Sequence, residues 1–311
     1  MDKLPFVCPR CRAPLPASSA ALECPECRAK YPIVNGVPRF VDLGGGHAAP
    51  FGFQWNTHRK TQLDSFTGRP ISEERLFLET GWPRQMEGQR ILEAGSGAGR
   101  FTEVLCRTGA DIYSFDMTRA VEANSANNGG CEGLALFQAD IFSIPLPERS
   151  FDRVFCLGVL QHTPDPARAF ASLAKYIRPG GEIVVDAYAG NLTGRLQWKY
   201  VLRPITSRMP AQTLYRIVEK VVPALSAPTA FLHRFGLARL SPILDYSHLG
   251  FSAGLNRSWS ILNSFDMYAP AYDYPQTTKS MRKWFEDAGL GVISLRYMRV
   301  GGVVGRGKYP N

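Results

Sequence analysis

Two pairs of cysteines lie close to the amino terminus, and each pair has two residues between its members. The first pair is Cys8 and Cys11, the second is Cys24 and Cys27, and twelve residues lie between the pairs. Four thiolates in this arrangement can surround a Zn²⁺ ion as a tetrahedron. Because four protein ligands leave no coordination position open for a substrate, the spacing predicts a structural zinc site rather than a catalytic one.

A glycine-rich loop follows a short apolar strand that we predict over residues 89–92. The loop residues of interest are Glu93, Gly95, Ser96, Gly97 and Gly99. Glycine lets a ligand come close to the backbone, and the start of the helix expected after the loop is the usual ligand position in a doubly wound sheet. Because nicotinamide and flavin enzymes use a close variant, the loop alone does not identify a cofactor.

Polar side chains end the next predicted strands. Asp116 ends a strand over residues 112–115, about twenty residues beyond the loop, where a carboxylate can bind two ribose hydroxyls. Asp140 ends the third strand, and the fourth runs into Gln161 and His162. Because the carboxyl ends of parallel strands meet at one edge of a sheet, we expect these side chains to line a ligand site there.

Taken together, these motifs resemble those of the class I S-adenosylmethionine (SAM)-dependent methyltransferases over residues 89–190. The resemblance implies an α/β, Rossmann-like fold with a seven-stranded sheet whose last strand is antiparallel, and it implies SAM as the cofactor. Apolar stretches at residues 291–296 and 301–304, after a helix predicted over 278–288, fit the last two strands.

The roles that the family assigns are carried over only to matching positions. Glu93 is expected to face the methionine amino group through the loop, Asp116 to bind the ribose, and Asp140 to accept from the adenine amino group. The other expected cofactor contacts are Met117 and Ile141 beside the adenine, and Leu157 and Gly158 beside the methionine moiety. For Asp116 and Asp140 the alternative is a helix cap or a turn residue.

Methyl transfer from a sulfonium is an in-line displacement, so much of the catalysis is proximity and alignment. A base is needed only where the acceptor must lose a proton to become nucleophilic. His162 is the candidate base, with a purely structural role in the loop as the alternative. Gln161 and Tyr188 share its sheet edge and are expected to orient the acceptor.

The segment from Tyr31 to Val41 predicts a hairpin with its turn at Asn35 and Gly36. With the cysteines before it, this region resembles the small zinc-binding activator subunit of several RNA and protein methyltransferases, and the zinc-ribbon heads of fused bacterial methyltransferases. The resemblance covers about forty residues and supports the assignment of a zinc ribbon.

The sequence therefore divides into five predicted segments. They are a zinc-ribbon module at 1–42, a lid or linker at 43–88, the SAM-binding core at 89–190, a helical insertion that forms the acceptor lid at 191–262, and the last helix and strands of the core at 263–311. Phe53, Gln54 and Trp55 are expected as walls of the cofactor site, with plain packing between ribbon and sheet as the alternative.

The net charge is +9, and the excess lies in the last third, where residues 191–311 carry 16 lysines and arginines against six acids. Residues 195–239 contain eight of the basic residues and a single acid, Glu219. They also contain an apolar stripe at helical spacing: Leu214, Ile217, Val218, Val221, Val222 and Leu225. A basic amphipathic helix suits phosphate, RNA or a membrane surface, and a solvated basic face is the alternative.

Three functions follow from these patterns. The first is a methyltransferase acting on a small-molecule acceptor that is lipid-linked, apolar or acidic. The second is an RNA base methyltransferase, because the zinc head and basic charge resemble bacterial ribosomal RNA guanine methyltransferases, although no NPPY-type tetrapeptide follows the fourth strand. The third is a SAM-binding regulatory protein without catalysis. The oligomeric state is left open.

The compartment is predicted from the amino-terminal sequence and the cysteines. The first residues hold no apolar run typical of a secretory signal, which predicts a cytoplasmic protein with reduced thiols. Cys106, Cys131 and Cys156 lack metal-binding spacing and are expected to be core or surface thiols.

Overall fold

The computed structural model describes residues 4–18, 20–41, 49–191, 197–298 and 301–311. It begins with a small antiparallel sheet of three strands, β1 (Ala21–Glu23), β2 (Lys30–Val34) and β3 (Val37–Pro38). The turn between β2 and β3 is formed by Asn35 and Gly36, both with positive φ, which gives the right-handed twist that a tight hairpin needs. The predicted hairpin is confirmed.

A second sheet of seven strands occupies the centre of the protein. Its strands are β4 (Arg90–Ala94), β5 (Asp111–Asp116), β6 (Leu134–Gln138), β7 (Phe151–Cys156), β8 (Ile177–Tyr188), β9 (Gly291–Tyr297) and β10 (Gly302–Lys308). They lie in the order β6-β5-β4-β7-β8-β10-β9. β10 runs antiparallel to both of its neighbours, while β4 to β8 pair in parallel. The predicted fold class is confirmed.

The strand order locates the ligand crevice. From β4 the chain builds outward to β6 and then returns to place β7 on the other side of β4. Chain direction therefore diverges between β4 and β7, and a crevice forms at their carboxyl ends, where doubly wound sheets bind ligands.

Helices cover the sheet and its carboxyl edge. Before β4 come α1 (Ala49–Thr57), α2 (Asp64–Thr67) and α3 (Ile71–Thr80), and between the strands come α4 (Arg100–Leu105), α5 (Ala120–Asn128) and α6 (Pro166–Ala174). After β8 follow α7 (Trp198–Thr206), α8 (Ala211–Arg234), α9 (Ala253–Tyr268) and α10 (Thr278–Asp287). Asp165 starts α6 by accepting from the Arg168 amide, with Pro166 in the first helical position.

The insertion has a hydrophobic core of its own. Leu214, Val218 and Val222 of α8 pack with Phe265 and other apolar residues of α9. The predicted segment boundary at residue 262 falls inside α9, and Phe265 beyond it packs in the core of the insertion. The division into segments stays a prediction. Arg195 and residues 43–48 of the predicted lid lie outside the described residues. Within the described chain, no helix combines the length and apolarity needed to cross a membrane.

The apolar stripe of α8 is divided between two environments. Leu214, Val218 and Val222 are buried, whereas Ile217 and Val221 are exposed on the outer side of the helix. The reason is geometric, because α9 contacts only one face of α8 and the stripe of six residues is wider than that contact.

The zinc ribbon shares its core with the large sheet. The ring of Phe6 lies 5.3 Å from that of Phe137 on β6, and Phe40 packs against both of them. The Phe40 amide donates to the Gln138 carbonyl at 2.8 Å, and the Arg12 guanidinium donates to two carbonyls of the loop after β6. The apolar side chains of the ribbon and of the sheet therefore form one core from which water is excluded.

One expectation about the cysteines is wrong. Cys106, directly after α4, and Cys131, in the loop after α5, form a disulfide, whereas Cys156 is a buried free thiol as expected. Because successive parallel strands place α4 and α5 side by side, two cysteines 25 residues apart come together. Their spacing in the sequence gives no sign of this.

The shared core predicts that damage to the ribbon reaches the sheet. Phe40→Ala should lower the free energy of unfolding by about 3 kcal/mol, the usual cost of removing a buried phenylalanine. Denaturant unfolding followed by circular dichroism should show a single transition at lower denaturant. Glu26→Ala, on the exposed surface of the same ribbon, is the control. A sheet transition unchanged by Phe40→Ala would contradict the shared core.

Candidate functional site

A cavity of about 1290 Å³ lies at the carboxyl ends of β4, β5, β7 and β8. Its wall includes Gly95, Ser96, Gly97, Asp116, Met117, Ile141, Leu157, Gly158, Gln161, His162 and Tyr188, all predicted as site residues. Pockets for one small ligand usually measure about 300–1,000 Å³. This cavity therefore has room for a cofactor and an acceptor together.

The glycine loop after β4 needs its glycines. Gly95, Gly97 and Gly99 have φ of +76°, +53° and +86°, a region that side chains rarely adopt. A Cβ at Gly95 would also collide with Val159, and one at Gly97 would lie 3.1 Å from the Trp55 ring. The loop backbone is thus held open toward the cavity.

Asp116 is tied to the same loop. Its Oδ2 accepts from the Gly97 amide at 2.9 Å, and its Oδ1 accepts from the amide and hydroxyl of Thr118 at 2.8 and 2.7 Å. Burial raises the pKa of this carboxyl above its ordinary value. A carboxylate accepts about four hydrogen bonds, so capacity remains for a ribose hydroxyl.

Three of the predicted cofactor residues do not line the cavity: Glu93, Gly99 and Asp140. Glu93 is buried beneath the loop, and its Oε2 accepts from the hydroxyls of Thr102 and Ser114 at 2.5 and 2.8 Å. Asp140 accepts from the Phe142 amide at 2.9 Å, as a turn residue does. Their contacts with a bound cofactor stay predictions.

His162 is held in one tautomer. It lies on a short 3₁₀ turn after β7, and its Nδ1 is 3.0 Å from the Tyr272 carbonyl oxygen. Because a carbonyl can only accept, Nδ1 carries the hydrogen and Nε2 keeps its lone pair. Nε2 is buried and has no hydrogen-bond partner among the described residues. Burial also lowers the pKa of His162, so the imidazole is neutral.

Gln161 and Tyr188 lie beside this histidine on the cavity wall. The Gln161 Oε1 is a second buried acceptor without a partner in the described chain. The Tyr188 ring packs edge-on against His162 at 5.3 Å, and its hydroxyl donates to Asp266 Oδ2 at 3.2 Å. All three predicted acceptor-side residues are therefore brought together.

Several charged residues of the cavity wall were not among those predicted from the sequence. Arg75 donates to Asp186 Oδ2 at 2.6 Å and to Glu79 Oε1 at 2.8 Å. Asp186 follows the apolar run of β8, close to the carboxyl end of that strand. A charged residue at this position is a signal in the sequence that could have identified it. The partnership with Arg75 has no such signal, because it joins residues 111 positions apart.

Arg100, the residue after the last loop glycine, also lines the cavity. Its Nη1 donates to Gln62 Oε1 at 2.9 Å and its Nε to Ser72 Oγ at 3.1 Å. Among the described residues it makes no ion pair with a carboxylate, and burial together with nearby Arg75 lowers its pKa to about 9. It is a cation suited to a negatively charged ligand group.

Helix α1 covers part of the cavity. Phe51, Gln54 and Trp55 are in its wall, and Gln54 donates to Asp266 Oδ1 at 3.4 Å. Phe53, which was expected beside them, instead packs against Tyr215 and Phe265 in the core of the insertion. One helical turn thus faces the cavity and the insertion with different side chains.

The four cysteines of the ribbon lie together, with their sulfurs within 4.8 Å of one another. The pairs Cys8–Cys27 and Cys11–Cys24 are 3.5 and 3.4 Å apart. Zn–S bonds of about 2.3 Å in a tetrahedron require about 3.8 Å between sulfurs, so the cluster fits zinc with little movement. The Tyr31 hydroxyl lies 3.2 Å from Cys8 Sγ and orients that ligand.

Comparison with known families agrees with both parts of this architecture. Residues 92–185 match the family described as a methyltransferase domain, and residues 6–36 match that of Trm112p-like proteins. The chain therefore carries a class I SAM-dependent methyltransferase domain behind a Trm112p-like zinc head. Its cofactors are SAM, bound by that domain, and a structural zinc ion held by the four cysteines.

Individual relatives match over part of their length. An uncharacterised protein from Synechococcus is 27% identical over 261 residues, which is 79% of this chain and 54% of that protein. A ubiquinone biosynthesis O-methyltransferase from Alkalilimnicola ehrlichii is 36% identical over 110 residues, 34% of this chain and 44% of the relative. The chain thus spans about half the length of these curated relatives.

A solved structure shares the fold. It comes from a complex of the Haloferax volcanii Trm112 methyltransferase activator with a protein described as a methyltransferase. The TM-score is 0.51 at 13% identity, and the match covers 84% of this chain and 98% of the other.

The buried Glu93 makes stability depend on pH. Burial raises its pKa to about 7. The folded protein then keeps this proton where the unfolded chain has lost it, so the free energy of unfolding is higher at low pH and falls as pH rises through about 7. Glu93→Gln, measured without SAM, should be more stable than the original protein at about pH 8, by up to about 3 kcal/mol.

This gain should shrink toward zero at about pH 4, where the carboxyl is largely protonated in the unfolded chain as well as in the folded one. Thermal unfolding at the two pH values measures the difference. Glu87→Gln in the turn before β4 is the control, because that side chain is exposed. A stability difference independent of pH would contradict the raised pKa.

Proposed function

We propose that the protein transfers the methyl group of SAM to a hydroxyl of a small-molecule acceptor bound beside His162. The observation that carries this proposal is a pair of buried acceptor atoms, His162 Nε2 and Gln161 Oε1, which have no hydrogen-bond partner in the described chain and belong to two residues of the cavity wall. Buried acceptors without donors are costly, so the missing donor is expected on the ligand. A hydroxyl is such a donor.

The cofactor half of the cavity is assigned to the glycine loop and the ends of β5 to β7. In this proposal Asp116 binds the ribose, Met117 and Ile141 flank the adenine, and Leu157 and Gly158 line the methionine moiety. The walls that these residues form support the assignment. Arg100 is placed beside a ligand carboxylate, which would give its guanidinium the direct ion pair that it does not make among the described residues.

His162 acts as the general base in this proposal. When bound, SAM would supply a methyl group on a positively charged sulfur, and S-adenosylhomocysteine would leave as the acceptor oxygen takes that methyl group. The fixed Nδ1–H leaves Nε2 to take the acceptor proton, and the Tyr272 carbonyl keeps the ring oriented while it becomes charged. Asp266 and Asp273 both favour the charged imidazole electrostatically, which eases that step.

The small-molecule class of acceptor rests on two supports. The cavity is enclosed by the insertion and by α1, which suits a ligand of limited size. Several relatives that match the methyltransferase domain are named as ubiquinone biosynthesis O-methyltransferases. Both favour oxygen methylation of a small molecule over methylation of an RNA base.

Asp116→Ala should weaken SAM binding at least about tenfold, because a ribose hydroxyl would lose a charged acceptor. Isothermal titration calorimetry measures the affinity, with NADH as the competing cofactor. Glu132→Ala, an exposed carboxylate in the loop before β6, is the matched control and should bind SAM normally. Binding of NADH in place of SAM would refute the cofactor assignment.

His162→Ala should reduce methyl transfer by about 100-fold or more while SAM affinity changes little. The assay uses tritiated SAM with a metabolite and lipid extract in one arm and total RNA in the other. Because burial lowers the pKa of His162, the rate should rise with pH along a limb below about pH 6.5 and then level off. That limb should be absent in the variant.

Three outcomes would count against the proposal. Label entering RNA alone would replace the small-molecule acceptor with the RNA alternative. An unchanged rate of methyl transfer in His162→Ala would show that His162 is not the general base. No label in either arm, from protein that binds SAM, would favour the regulatory protein over the enzyme.

A further inference from the structure

Helix α7 has its charged side chains inside and its apolar side chains outside. Lys199 and Arg203 are 3% and 9% exposed and both approach Asp273, at 2.9 and 3.6 Å. The opposite face presents Trp198, Val201 and Ile205, which are 43%, 65% and 69% exposed. Their spacing of three and four residues places them along one line of the helix. This is the reverse of a helix that packs on a core and faces water.

Helix α8 repeats the pattern on its outer side. Counting from Ile217 in steps of four and three residues gives an unbroken apolar line: Ile217, Val221, Ala224, Pro228, Phe231 and, directly after the helix, Phe235. Every one of these positions is exposed, with Phe231 at 58% and Phe235 at 63%. The two phenylalanine rings lie 5.1 Å apart. The line is separate from the buried face of α8, which packs on α9.

Basic residues border this line. At about 100° per residue, Arg216, Lys220 and Arg234 lie on the flank of α8 that points away from its buried face. All three are exposed, and among the described residues none makes an ion pair with an acid. The side chain of Arg239 is outside the described part. An apolar line with a basic border is the arrangement of helices that lie in a membrane interface.

The apolar faces of α7 and α8 meet at one turn. The Trp198 indole donates to the Leu240 carbonyl at 2.8 Å, and Leu240 and Leu237 are exposed beside it. The turn that contains Leu240 packs in turn against α8 through the hydroxyls of Thr229 and Ser241. We call the exposed apolar side chains of α7, α8 and this turn the outer face.

We propose that the outer face docks on an anionic lipid surface. Transfer of exposed apolar side chains from water into lipid lowers the free energy, and the basic border is attracted to negatively charged headgroups. RNA phosphates would bind the basic border but would leave Val201, Ile205 and Phe231 exposed to water. A lipid surface is complementary to both the apolar and the basic residues.

Docking there would also bring the cavity to the membrane. Trp198, His233 and Leu244 belong to the insertion and line the cavity. An acceptor dissolved in lipid would then enter beside the outer face. This last point rests on the proposed function, whereas the docking itself does not.

The experiment is vesicle flotation of the full chain, without SAM or acceptor. Phosphatidylcholine vesicles are compared with vesicles that also contain phosphatidylglycerol. The protein should float with the second kind. Phe231→Ser combined with Phe235→Ser should reduce the bound fraction at least tenfold, and Arg216→Gln combined with Lys220→Gln should reduce it by a smaller factor that disappears at high salt.

The matched control is Phe66→Ser combined with Ile293→Ser, two apolar side chains exposed elsewhere on the surface. It should float like the original protein. All substituted residues are exposed, and unchanged thermal unfolding shows that each variant is folded. In addition, lipids with a quencher in the acyl chain should quench the original protein more than Trp198→Phe.

Two results would overturn the proposal. In one, the phenylalanine pair and the control pair float alike. In the other, the protein binds neither kind of vesicle. Binding of total RNA through Arg216 and Lys220, with no effect of the phenylalanines, would then identify RNA as the partner of this face. If the protein floats with anionic vesicles but transfers no methyl group to any acceptor, only the proposed function is refuted.

Discussion

Asp186, on β8, connects the turn after the neighbouring strand β7 with helix α3 at the ligand edge of the sheet. One oxygen of its carboxylate accepts from the Gly158 amide at the end of β7, and the other accepts from Arg75 on α3. Gly158 has a φ of +78° and begins the turn that leads to His162. The position of the candidate base therefore depends on a carboxylate of the neighbouring strand. Removing Arg75 would leave the buried carboxylate of Asp186 without its cationic partner, which usually costs several kcal/mol.

The zinc ribbon contributes to the same sheet from its far edge. β6 is the outermost parallel strand, and an uncovered edge strand invites pairing with other chains. Arg39 bridges Gln138 at this edge, and its buried guanidinium approaches Glu122 at 3.7 Å. Zinc fixes the ribbon, the ribbon covers the edge, and the shared aromatic core joins them. The metal thus supports the domain without approaching the cavity.

The features that could be predicted from the sequence depend on short-range patterns. Strand, glycine loop and helix follow one another, so the order of residues along the chain is enough to place Gly95, Gly97 and Asp116 at one edge. The tautomer of His162 could not be predicted, because it depends on a carbonyl 110 residues away. The same holds for the link between Tyr188 and Asp266 and for the disulfide of Cys106 and Cys131. Ile217 and Val221 show a further limit: periodicity identifies an apolar line but does not say which part of it another helix will cover.

The position of β10 affects how the chain folds as it leaves the ribosome. Tyr188 at the end of β8 pairs with Gly302, more than a hundred residues later in the chain. At about 5–20 residues per second, translation of that interval lasts on the order of ten seconds. Throughout this time the whole insertion emerges while β8 offers an unpaired edge to the other nascent chains of the polysome. Synthesis is thus the period in which this protein is most exposed to aggregation, and its demand for chaperones should be greatest before the last strand is made.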